Sequence, residues 1–441
     1  MSDTPGQEVD HYGGNATLKW DINSDVSLKS ITAYRKLETA SYIDIDATEY
    51  EIGDVFVGLD QNQFSQEFQL LGSNGSNLNW VAGLYYLKEE VPSDQMAFAD
   101  DFLLFAGAPI SFLRTINDDL TTKSYAAFGQ IDWAFADRWN FGFGLRYTKE
   151  EKDYFRTTST FSDLPQLNAD PAFAFTDSDD WSDWTPTFTL DYAMNDNVRW
   201  YGRLARGFKS GGFNGRANSA DDVSTFDPET VWTGEIGAKT TMAGGTFRAN
   251  YALFYSQYDD FQARVSVADG IDFRFPVLNA AELDIKGAEV EMTWLPIDPL
   301  QLSAQVGYLD AEYGAGGFSG SDGVEDEPAF SPKWTARLAG VWTLDLSGGS
   351  QLAFTGAANY RDSMWLSVDN VLPLSEGDYW LLDGFISWVS SDGRWTLLAG
   401  VKNATDEEYK VEGQEFGSVG NIQTAYYGNP RTYTFSVDYR F

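Results

Sequence analysis

Residues 139–148 read WNFGFGLRYT and alternate between two kinds of side chain at every second position. One parity carries large apolar groups: Trp139, Phe141, Phe143, Leu145 and Tyr147. The other parity carries polar or small residues: Asn140, Gly142, Gly144, Arg146 and Thr148. Successive side chains of a β-strand point to opposite faces, so this stretch predicts a strand with one apolar face and one polar face.

The same period of two recurs along the chain, for example in residues 184–194, 333–344 and 432–441. No stretch of comparable length has a helical period, and no run of about 18 apolar residues predicts a transmembrane helix. We predict about seventeen strands, near 14–22, 25–38, 62–72, 78–90, 121–135, 138–152, 183–194, 197–208, 230–242, 245–260, 282–295, 300–313, 333–346, 350–362, 379–390, 394–403 and 430–441.

The connections between these strands alternate between short and long. Tight turns such as Ala136-Asp137 separate long connections at 91–120, 153–182, 209–229 and 404–429. This pattern predicts an all-β fold, a transmembrane antiparallel up-and-down β-barrel, whose aromatic girdles would account for an aromatic content of 16%. A soluble propeller or sandwich is the alternative, but the chain lacks a blade-length repeat and its strands exceed the usual length of about five to six residues.

Composition excludes several kinds of function. The formal net charge of −36 disfavours nucleic acid as a partner. The chain has no cysteine, which excludes disulfides and cysteine-ligated zinc, and its single histidine, His11, lies in a polar stretch typical of solvated side chains. We find no GxSxG, HExxH or GxxxxGK[ST] motif, and GAGGFSG at 314–320 lacks the last glycine of GxGxxG. We therefore expect neither an enzyme nor a bound cofactor.

The beginning of the chain and the strand count point to a longer protein. The first ten residues, MSDTPGQEVD, are polar and acidic and do not resemble a secretory signal peptide. Single-chain bacterial barrels have an even number of strands, whereas seventeen is odd. If both the chain end and the tight turns lie on the periplasmic side, the first strand runs inward. We therefore expect an odd number of strands before it.

Several motifs occur together in one order: ARGFKSGGFN (205–214), FDPETVWTGEIGAKT (226–240), NAAELDIKGAEVEMTW (279–294), SPKWTARLAGVWT (331–343), VKNATDEEY (401–409) and GNPRTYTFSVDYRF (428–441). This combination resembles the barrel domain of TonB-dependent outer-membrane receptors. The resemblance implies that residues 1–441 are part of a 22-stranded barrel from which five strands are absent. It also implies a plug domain and a TonB box, neither of which is found in this sequence.

The resemblance implies a function in transport across the outer membrane of a Gram-negative bacterium. The family takes up scarce, bulky ligands, and a ferric siderophore is the foremost expectation, with haem, cobalamin and oligosaccharide as alternatives. The expected partners are the plug domain and the TonB complex, together with outer-membrane lipid and lipopolysaccharide around a monomer. A passive porin-like channel, an adhesive barrel and a non-functional fragment are the alternative interpretations.

The stretch ARGFKSGGFNG, residues 205–215, is the strongest candidate for a site. We expect Phe208 and Phe213 at the rim, with Gly211-Gly212 turning the backbone inward. Arg206 and Lys209 would meet acidic neighbours, lipopolysaccharide phosphate or an anionic ligand. We name four possible ligand or rim contacts: Arg206, Lys209, Phe213 and Asn214. Aromatic residues of other long connections are further candidates: Phe102, Phe105, Phe112, Trp365 and Tyr379.

Charged residues offer two more interpretations. The acidic stretches TDSDDWSD (176–183) and SDGVEDEP (321–328) do not fit the EF-hand pattern, so we interpret them as solvated loops, with a divalent-ion site bridging lipopolysaccharide as the alternative. A second group shares the luminal parity of its strands: Arg199, Arg203, Glu235, Lys239, Glu289 and Glu291. We expect these side chains to pair across neighbouring strands and to contact the plug.

The C-terminus ends in a strand with aromatic or apolar residues at every second position: Tyr433, Phe435, Val437, Tyr439 and Phe441. This pattern resembles the signal that the barrel-assembly machinery recognises. The same residues also fit the lipid face of a final strand, and the two interpretations are compatible.

Overall fold

A computed structural model describes residues 6–44, 50–51, 53–102, 110–217, 223–264, 267–269, 272–274, 276–279, 282–314, 327–416 and 422–441. Seventeen strands form one antiparallel sheet in which each strand pairs with the next one along the chain. They are β1 Glu8–Asp21, β2 Val26–Asp44, β3 Asp54–Asn74, β4 Leu78–Phe102, β5 Ile110–Ala136, β6 Trp139–Ser162, β7 Ala169–Asn195, β8 Val198–Lys209, β9 Glu229–Met242, β10 Phe247–Asp259, β11 Leu283–Ile297, β12 Leu300–Tyr313, β13 Trp334–Asp345, β14 Gln351–Arg361, β15 Tyr379–Val389, β16 Trp395–Lys402 and β17 Thr432–Tyr439. The predicted all-β meander is confirmed.

The register places the apolar parity of neighbouring strands on one face. Trp139 of β6 lies opposite Tyr192 of β7, and their ring centroids are 4.4 Å apart. Tyr147 and Trp184 repeat the arrangement at 4.9 Å, eight residues further along β6. Leu253 is 59% exposed on the same face. A continuous exposed apolar surface of this kind is typical of a barrel wall that faces the hydrocarbon core of a membrane, with an aromatic girdle at each interface.

Helices contribute little to the described structure. The described residues contain three short 3₁₀ turns, at Pro165–Leu167, Ala243–Gly245 and Leu372–Leu374. None of the helices found in the described residues has the length and apolar character needed to cross a membrane.

Five strands are much longer than the sequence predicts. β3 has 21 residues, β4 has 25, β5 has 27, β6 has 24 and β7 has 27, whereas about 9–11 residues are enough to cross a bilayer. Much of the predicted loops 91–120 and 153–182 is therefore paired strand. Pairs such as Asp119↔Phe155 continue the ladder beyond the apolar zone. Neither face of this extension meets lipid, and its inner face carries polar and aromatic side chains together, so the apolar–polar contrast that marks a membrane strand is weak.

Short paired segments occur in the long connections. They are Gly212–Phe213 with Thr225–Phe226, Gln262–Arg264 with Val277–Asn279, Val267–Asp269 with Asp272–Arg274, Met364–Trp365 with Ser375–Glu376, and Lys410–Phe416 with Ile422–Tyr427. All of them lie at the end of the sheet opposite the tight turns. This long-loop end therefore carries folded structure above the wall.

The first and last strands of the sheet each have one paired side. Within the described residues, β1 pairs with β2 alone and β17 pairs with β16 alone. Both strands run toward the tight-turn end. β1 leads directly into the tight turn before Val26. At the end of β17, the backbone N–H of Arg440 donates to the Arg394 carbonyl, which lies beside another tight turn. Direct pairing of these two edges would be parallel, unlike every other pair in the sheet.

Candidate functional site

The chain folds inward at the end of β8. The ladder between β7 and β8 stops at Thr187↔Ala205, although β7 continues for many residues beyond it. Arg206 closes the gap: its Nη1 donates to the Trp184 carbonyl at 2.9 Å and also binds the Asp183 carboxylate. The backbone then leaves the wall and lies over the inner face of β6. We call residues 210–217 the inward segment.

Two glycines make this turn possible. A Cβ on Gly211 would lie 2.5 Å from the Trp181 ring, and one on Gly212 would lie 2.7 Å from the Phe226 ring. Such distances are too short for any larger residue without movement of the neighbours. Lys152 of β6 holds the start of the segment, since its Nζ donates to Ser210 Oγ at 2.8 Å and to the Gly211 carbonyl at 2.7 Å.

Phe213 lies in the interior of the long-loop end. Its ring stacks on Tyr154 at 5.6 Å and meets the edge of Trp181 at 6.2 Å, and all three side chains are buried. Leu120 and Phe175 pack around this cluster. The expected rim position of Phe213 is therefore wrong. Because the chain turns inward, the Phe213 ring packs against side chains on the luminal face of β6. The residue pattern of the loop alone does not predict this position.

A buried ion pair fixes the far end of the inward segment. Arg156 Nη1 donates to Asp118 Oδ1 at 2.7 Å and Oδ2 at 2.8 Å, and only 2% of the Arg156 side chain is exposed. The same guanidinium donates to the carbonyls of Gly215 at 3.0 Å and Ala217 at 2.6 Å. The Tyr154 hydroxyl donates to Asp118 at 2.9 Å. Burial strengthens these charge-assisted bonds and also makes loss of one partner costly.

Asn214 and Lys209, the other two predicted contacts, differ in environment. Asn214 is buried. Its backbone N–H donates to the Ser224 carbonyl at 2.9 Å, and its side-chain Oδ1 accepts a hydrogen bond from the backbone N–H of Arg216 at 3.2 Å. Lys209 is exposed at the end of β8, in register with Glu229. Arg206, Phe213 and Asn214 therefore have architectural contacts, while a ligand contact by any of the four stays a prediction.

Sequence reasoning missed the residues that hold the inward segment. Asp118, Lys152, Tyr154 and Arg156 all fall in or beside stretches that were interpreted as loops. The signal was present in DYFRTTSTFS at 153–162, where every even position from Tyr154 to Thr160 is buried. This parity continues the luminal face of β6, with polar and aromatic side chains in place of small ones.

The luminal ions share the expected inner face. Arg203 lies directly opposite Glu235 in the register. Arg199 Nε donates to the Asp191 carboxylate at 3.0 Å, which is an ion pair between neighbouring strands. Lys239, however, lies directly opposite Arg199, so two cations face each other there. Both acidic residues of β11, Glu289 and Glu291, line a cavity of about 370 Å³. Other polar residues that line it are Gln305, Arg337, Asn359 and Arg361.

The remaining candidates have varied positions. Tyr379 is buried and stacks on Tyr409 at 4.8 Å, and Phe112 lies under the Arg114 guanidinium at 5.4 Å. Trp365 belongs to a short paired segment at the long-loop end. The structure describes the backbone of Phe102 but not its side chain, and Phe105 lies outside the described residues.

The acidic stretch at 176–183 is strand, which corrects its interpretation as a loop. It belongs to β7, where Asp180 forms an ion pair with Lys149 at 3.3 Å. Most of the second acidic stretch, residues 321–326, lies outside the described residues. No group of three or more potential metal-binding side chains was found in the part of the chain that the structure describes.

The C-terminal motifs form a corner and an exposed edge. Asn403, buried and with a φ of 50°, donates from Nδ2 to the carbonyls of Glu407 at 2.8 Å and Asn429 at 3.2 Å. It thereby joins the end of β16 to the start of β17. The predicted recognition residues lie on one face, with Phe435 81% exposed and Phe441 against the Tyr439 ring at 5.1 Å. Their recognition by the assembly machinery stays a prediction.

Comparison with known proteins agrees with this architecture. The pesticin receptors of Yersinia enterocolitica and Yersinia pestis are 23% identical over 303 residues, which cover 68% of this chain and 41% of those proteins. This chain thus matches less than half the length of these relatives. The crystal structure of the ferric yersiniabactin uptake receptor FyuA from Yersinia pestis matches 99% of this chain and 62% of its own, with a TM-score of 0.82 and 19% identity.

A second solved structure gives the same fold. The siderophore receptor PiuA from Acinetobacter baumannii has a TM-score of 0.77 and 18% identity, over 98% of this chain and 64% of its own. Residues 2–404 match the family described as TonB dependent receptor-like, beta-barrel. Members of this family are transport receptors of the Gram-negative outer membrane, where they bind a ligand and interact with TonB. The chain belongs to the TonB-dependent receptor β-barrel family.

Proposed function

We propose that this chain is the barrel portion of a receptor for TonB-coupled uptake of a ferric siderophore. The inward segment carries the proposal, because it folds polar and aromatic structure over the inner face of the extracellular end, in the path of an entering ligand. Bulky scarce solutes require such selective binding before transport. The reaction is vectorial, with no covalent bond made or broken, so the chain has no enzymatic role.

The two open edges of the sheet support a longer barrel. Since β1 and β17 run in the same direction, only an odd number of additional strands closes the wall by antiparallel pairing. Five strands would bring the seventeen observed to the 22 of a plugged outer-membrane transporter barrel. We therefore assign residues 1–441 to part of the barrel domain, acting as a monomer because a closed barrel leaves no edge to pair.

The luminal charges fit contact with a polar plug domain inside the barrel. Glu289 and Glu291 line a cavity open to the lumen, and the facing cations Arg199 and Lys239 favour an acidic partner. The outer face would contact lipid and, at the extracellular girdle, lipopolysaccharide.

A transport experiment tests the proposed function. We expect a strain that lacks this gene to lose growth on at least one ferric siderophore under iron limitation, and the gene to restore it. Uptake of radioactive iron from that siderophore should stop when the tonB gene is deleted. Restored uptake without TonB would support a passive channel instead, and no effect with any siderophore would contradict a role in iron uptake.

Assembly has its own test. We expect deletion of Phe441, whose side chain is fully exposed beyond the end of β17, to lower the outer-membrane yield several-fold in immunoblots of membrane fractions. Replacement of Leu372, an exposed apolar residue of a long connection, by Ala is the matched control and should leave the yield unchanged. Equal yields of both variants would contradict recognition of the terminal phenylalanine.

A further inference from the structure

A short pattern recurs on three strands that run in the same direction. Tyr-x-Lys-x-Glu occurs in the sequence at residues 34–38, 86–90 and 147–151. These segments belong to β2, β4 and β6, which all run toward the long-loop end. Residues at every second position of a strand share a face, so the tyrosine, lysine and glutamate follow one another along one face. On β5, which runs the other way, Lys123 and Tyr125 repeat the first two members of the pattern.

The pattern lies on the outer face of the wall, at the extracellular boundary of the membrane. Tyr86 of β4 faces Tyr125 of β5 in the register, and their ring centroids are 5.3 Å apart. Leu84, on the same face and closer to the tight-turn end, is 62% exposed. β4 begins at Leu78, so Lys88 is its eleventh residue, and about 9–11 residues cross a bilayer. The lysine therefore lies where hydrocarbon gives way to headgroups, above tyrosines typical of that interface.

Most lysines at this boundary are neutralised by nearby carboxylates. Two lysines of the pattern have two acidic partners each. The ion pairs are Lys36 with Glu38 and with Asp60 at 3.5 Å, and Lys149 with Glu151 at 3.0 Å and with Asp180 at 3.3 Å. On β11, Lys286 directly faces Asp310 of the next strand, and their charged groups are 3.0 Å apart. The positive charge of these three lysines is therefore balanced within the protein.

Lys88 and Lys123 are arranged differently, because they face each other directly across the ladder between β4 and β5. Each has a single acidic partner in the part of the chain that the structure describes. The ion pairs are Lys88 with Glu90 at 2.7 Å and Lys123 with Asp153 at 3.6 Å. Glu151, which faces Lys123 from β6, binds Lys149 instead. Like charges directly opposite each other on one face of a sheet are destabilising, so an anion between these two lysines would relieve their repulsion.

The layers of this outer face match those of a phosphorylated glycolipid. Apolar and tyrosine side chains form the layer nearest the tight turns, the two facing lysines form the next, and Glu90 and Asp153 lie beyond them. In lipopolysaccharide, acyl chains, phosphates and sugar hydroxyls follow in the same order. An ammonium group binds phosphate through charge-assisted hydrogen bonds, and carboxylates accept hydrogen bonds from hydroxyl groups. A simple phospholipid has no sugar layer beyond its phosphate, so the outer carboxylates favour the glycolipid.

We propose that Lys88 and Lys123 form a phosphate-binding site for lipopolysaccharide on the outer face of the barrel. The Tyr86 and Tyr125 rings contact the upper part of its acyl chains, and the two carboxylates beyond the lysines accept hydrogen bonds from its sugars. The inference deepens the proposed contact with lipopolysaccharide and rests on the outer-membrane location. It does not depend on a siderophore as the transported ligand, so the binding experiment and the uptake experiment can fail independently.

Lipid binding to the complete receptor in detergent, after removal of copurified lipid, tests this site. The probes are lipopolysaccharide with its lipid A phosphates, the same lipopolysaccharide after enzymatic removal of these phosphates, and phosphatidylglycerol. The test variant is Lys88→Gln with Lys123→Gln, and Lys88→Arg with Lys123→Arg retains the charge. The matched control is Lys36→Gln with Lys149→Gln, which also removes two boundary lysines, but where two carboxylates already balance each charge. A heat-modifiability gel shows whether each variant is folded.

We expect the parent to bind the phosphorylated lipopolysaccharide about tenfold or more tightly than the dephosphorylated form. The glutamine double variant should lose this preference, while the arginine variant and the control should keep it. Equal binding of both forms by the parent, or an unchanged preference in the glutamine variant, would overturn the site. Phosphatidylglycerol that binds as tightly, with the same dependence on the two lysines, would overturn the choice of lipopolysaccharide.

The single variants Lys88→Gln and Lys123→Gln replace the double variant if it does not fold. Each should reduce the preference for the phosphorylated form, because each removes one of the two facing charges. No reduction in either single variant would overturn the site.

Discussion

At the residue scale, the contacts of Arg156 decide how the extracellular end is organised. One side chain joins Asp118 of the wall to two carbonyls of the inward segment, with almost no access to water. A buried charge is tolerated because each of these partners accepts a hydrogen bond from it. Replacing it leaves the Asp118 carboxylate with neutral donors such as Tyr154 in place of its cation, and leaves two carbonyls without the donor they share. The position is therefore far more sensitive than that of a surface cation.

We expect Arg156→Gln to destabilise this region by about 3–5 kcal/mol, because Asp118 would become a buried unpaired charge. The matched control is Lys149→Gln on the same strand, where the half-buried lysine pairs with the solvent-accessible Glu151 and Asp180 and should be replaceable without measurable effect. Thermal unfolding in detergent, together with limited proteolysis of the inward segment, measures the difference. Similar behaviour of the two variants would contradict the anchoring role.

The glycines of the inward segment allow a second test. Because the chain contains no cysteine, Ala217→Cys gives a single thiol at a buried position. We expect maleimide to label it slowly in the parent and about tenfold faster after Gly211→Ala, since overpacking against Trp181 costs about 1–3 kcal/mol. The control is Gly377→Ala, where a Cβ meets no atom within 4 Å. Unchanged labelling after Gly211→Ala would show that the segment tolerates the added methyl group.

At the scale of the element, membrane strands and their extensions follow different rules. The alternation in WNFGFGLRYT predicts β6 well because lipid and lumen impose opposite polarities on its faces. Beyond Thr148 the contrast between large apolar and small polar residues ends, although burial still alternates from Tyr154 to Thr160. The seventeen strands were therefore predictable from that contrast, while the outer parts of β3 to β7 were not. The inward segment was missed for the same reason, since its partners lie on those outer parts.

The corner before β17 shows how a motif positions an element. Asn403 has a left-handed backbone and bonds both Glu407 and Asn429. We expect Asn403→Gly to lower the unfolding temperature of the folded band in a heat-modifiability gel, because a buried hydrogen-bond network is lost. Asn403→Ala should lower it further, since the positive φ adds strain of about 1 kcal/mol for a non-glycine residue. An alanine variant more stable than the glycine variant would contradict this account of the corner.

At the scale of the whole molecule, the direction of the two edge strands determines how the wall closes. Every pair in the sheet is antiparallel and joins strands that follow each other in the chain. The inner faces of β1 and β17 carry Thr17 and Ser436, at similar distances from the tight-turn end. If an odd number of strands separates these edges, the two residues are far apart across the wall. If the edges meet directly, the two residues are neighbours.

Disulfide cross-linking in outer membranes distinguishes these arrangements, and the absence of native cysteine removes background. We expect Thr17→Cys with Ser436→Cys to give no cross-link under mild oxidation, because additional strands hold the edges apart. The positive control is Thr17→Cys with Ile31→Cys, which lie directly opposite each other on β1 and β2 and should cross-link efficiently. A strong Thr17–Ser436 cross-link within one chain would mean that the sheet closes by parallel pairing. It would then contradict the assignment of this chain to part of a larger barrel.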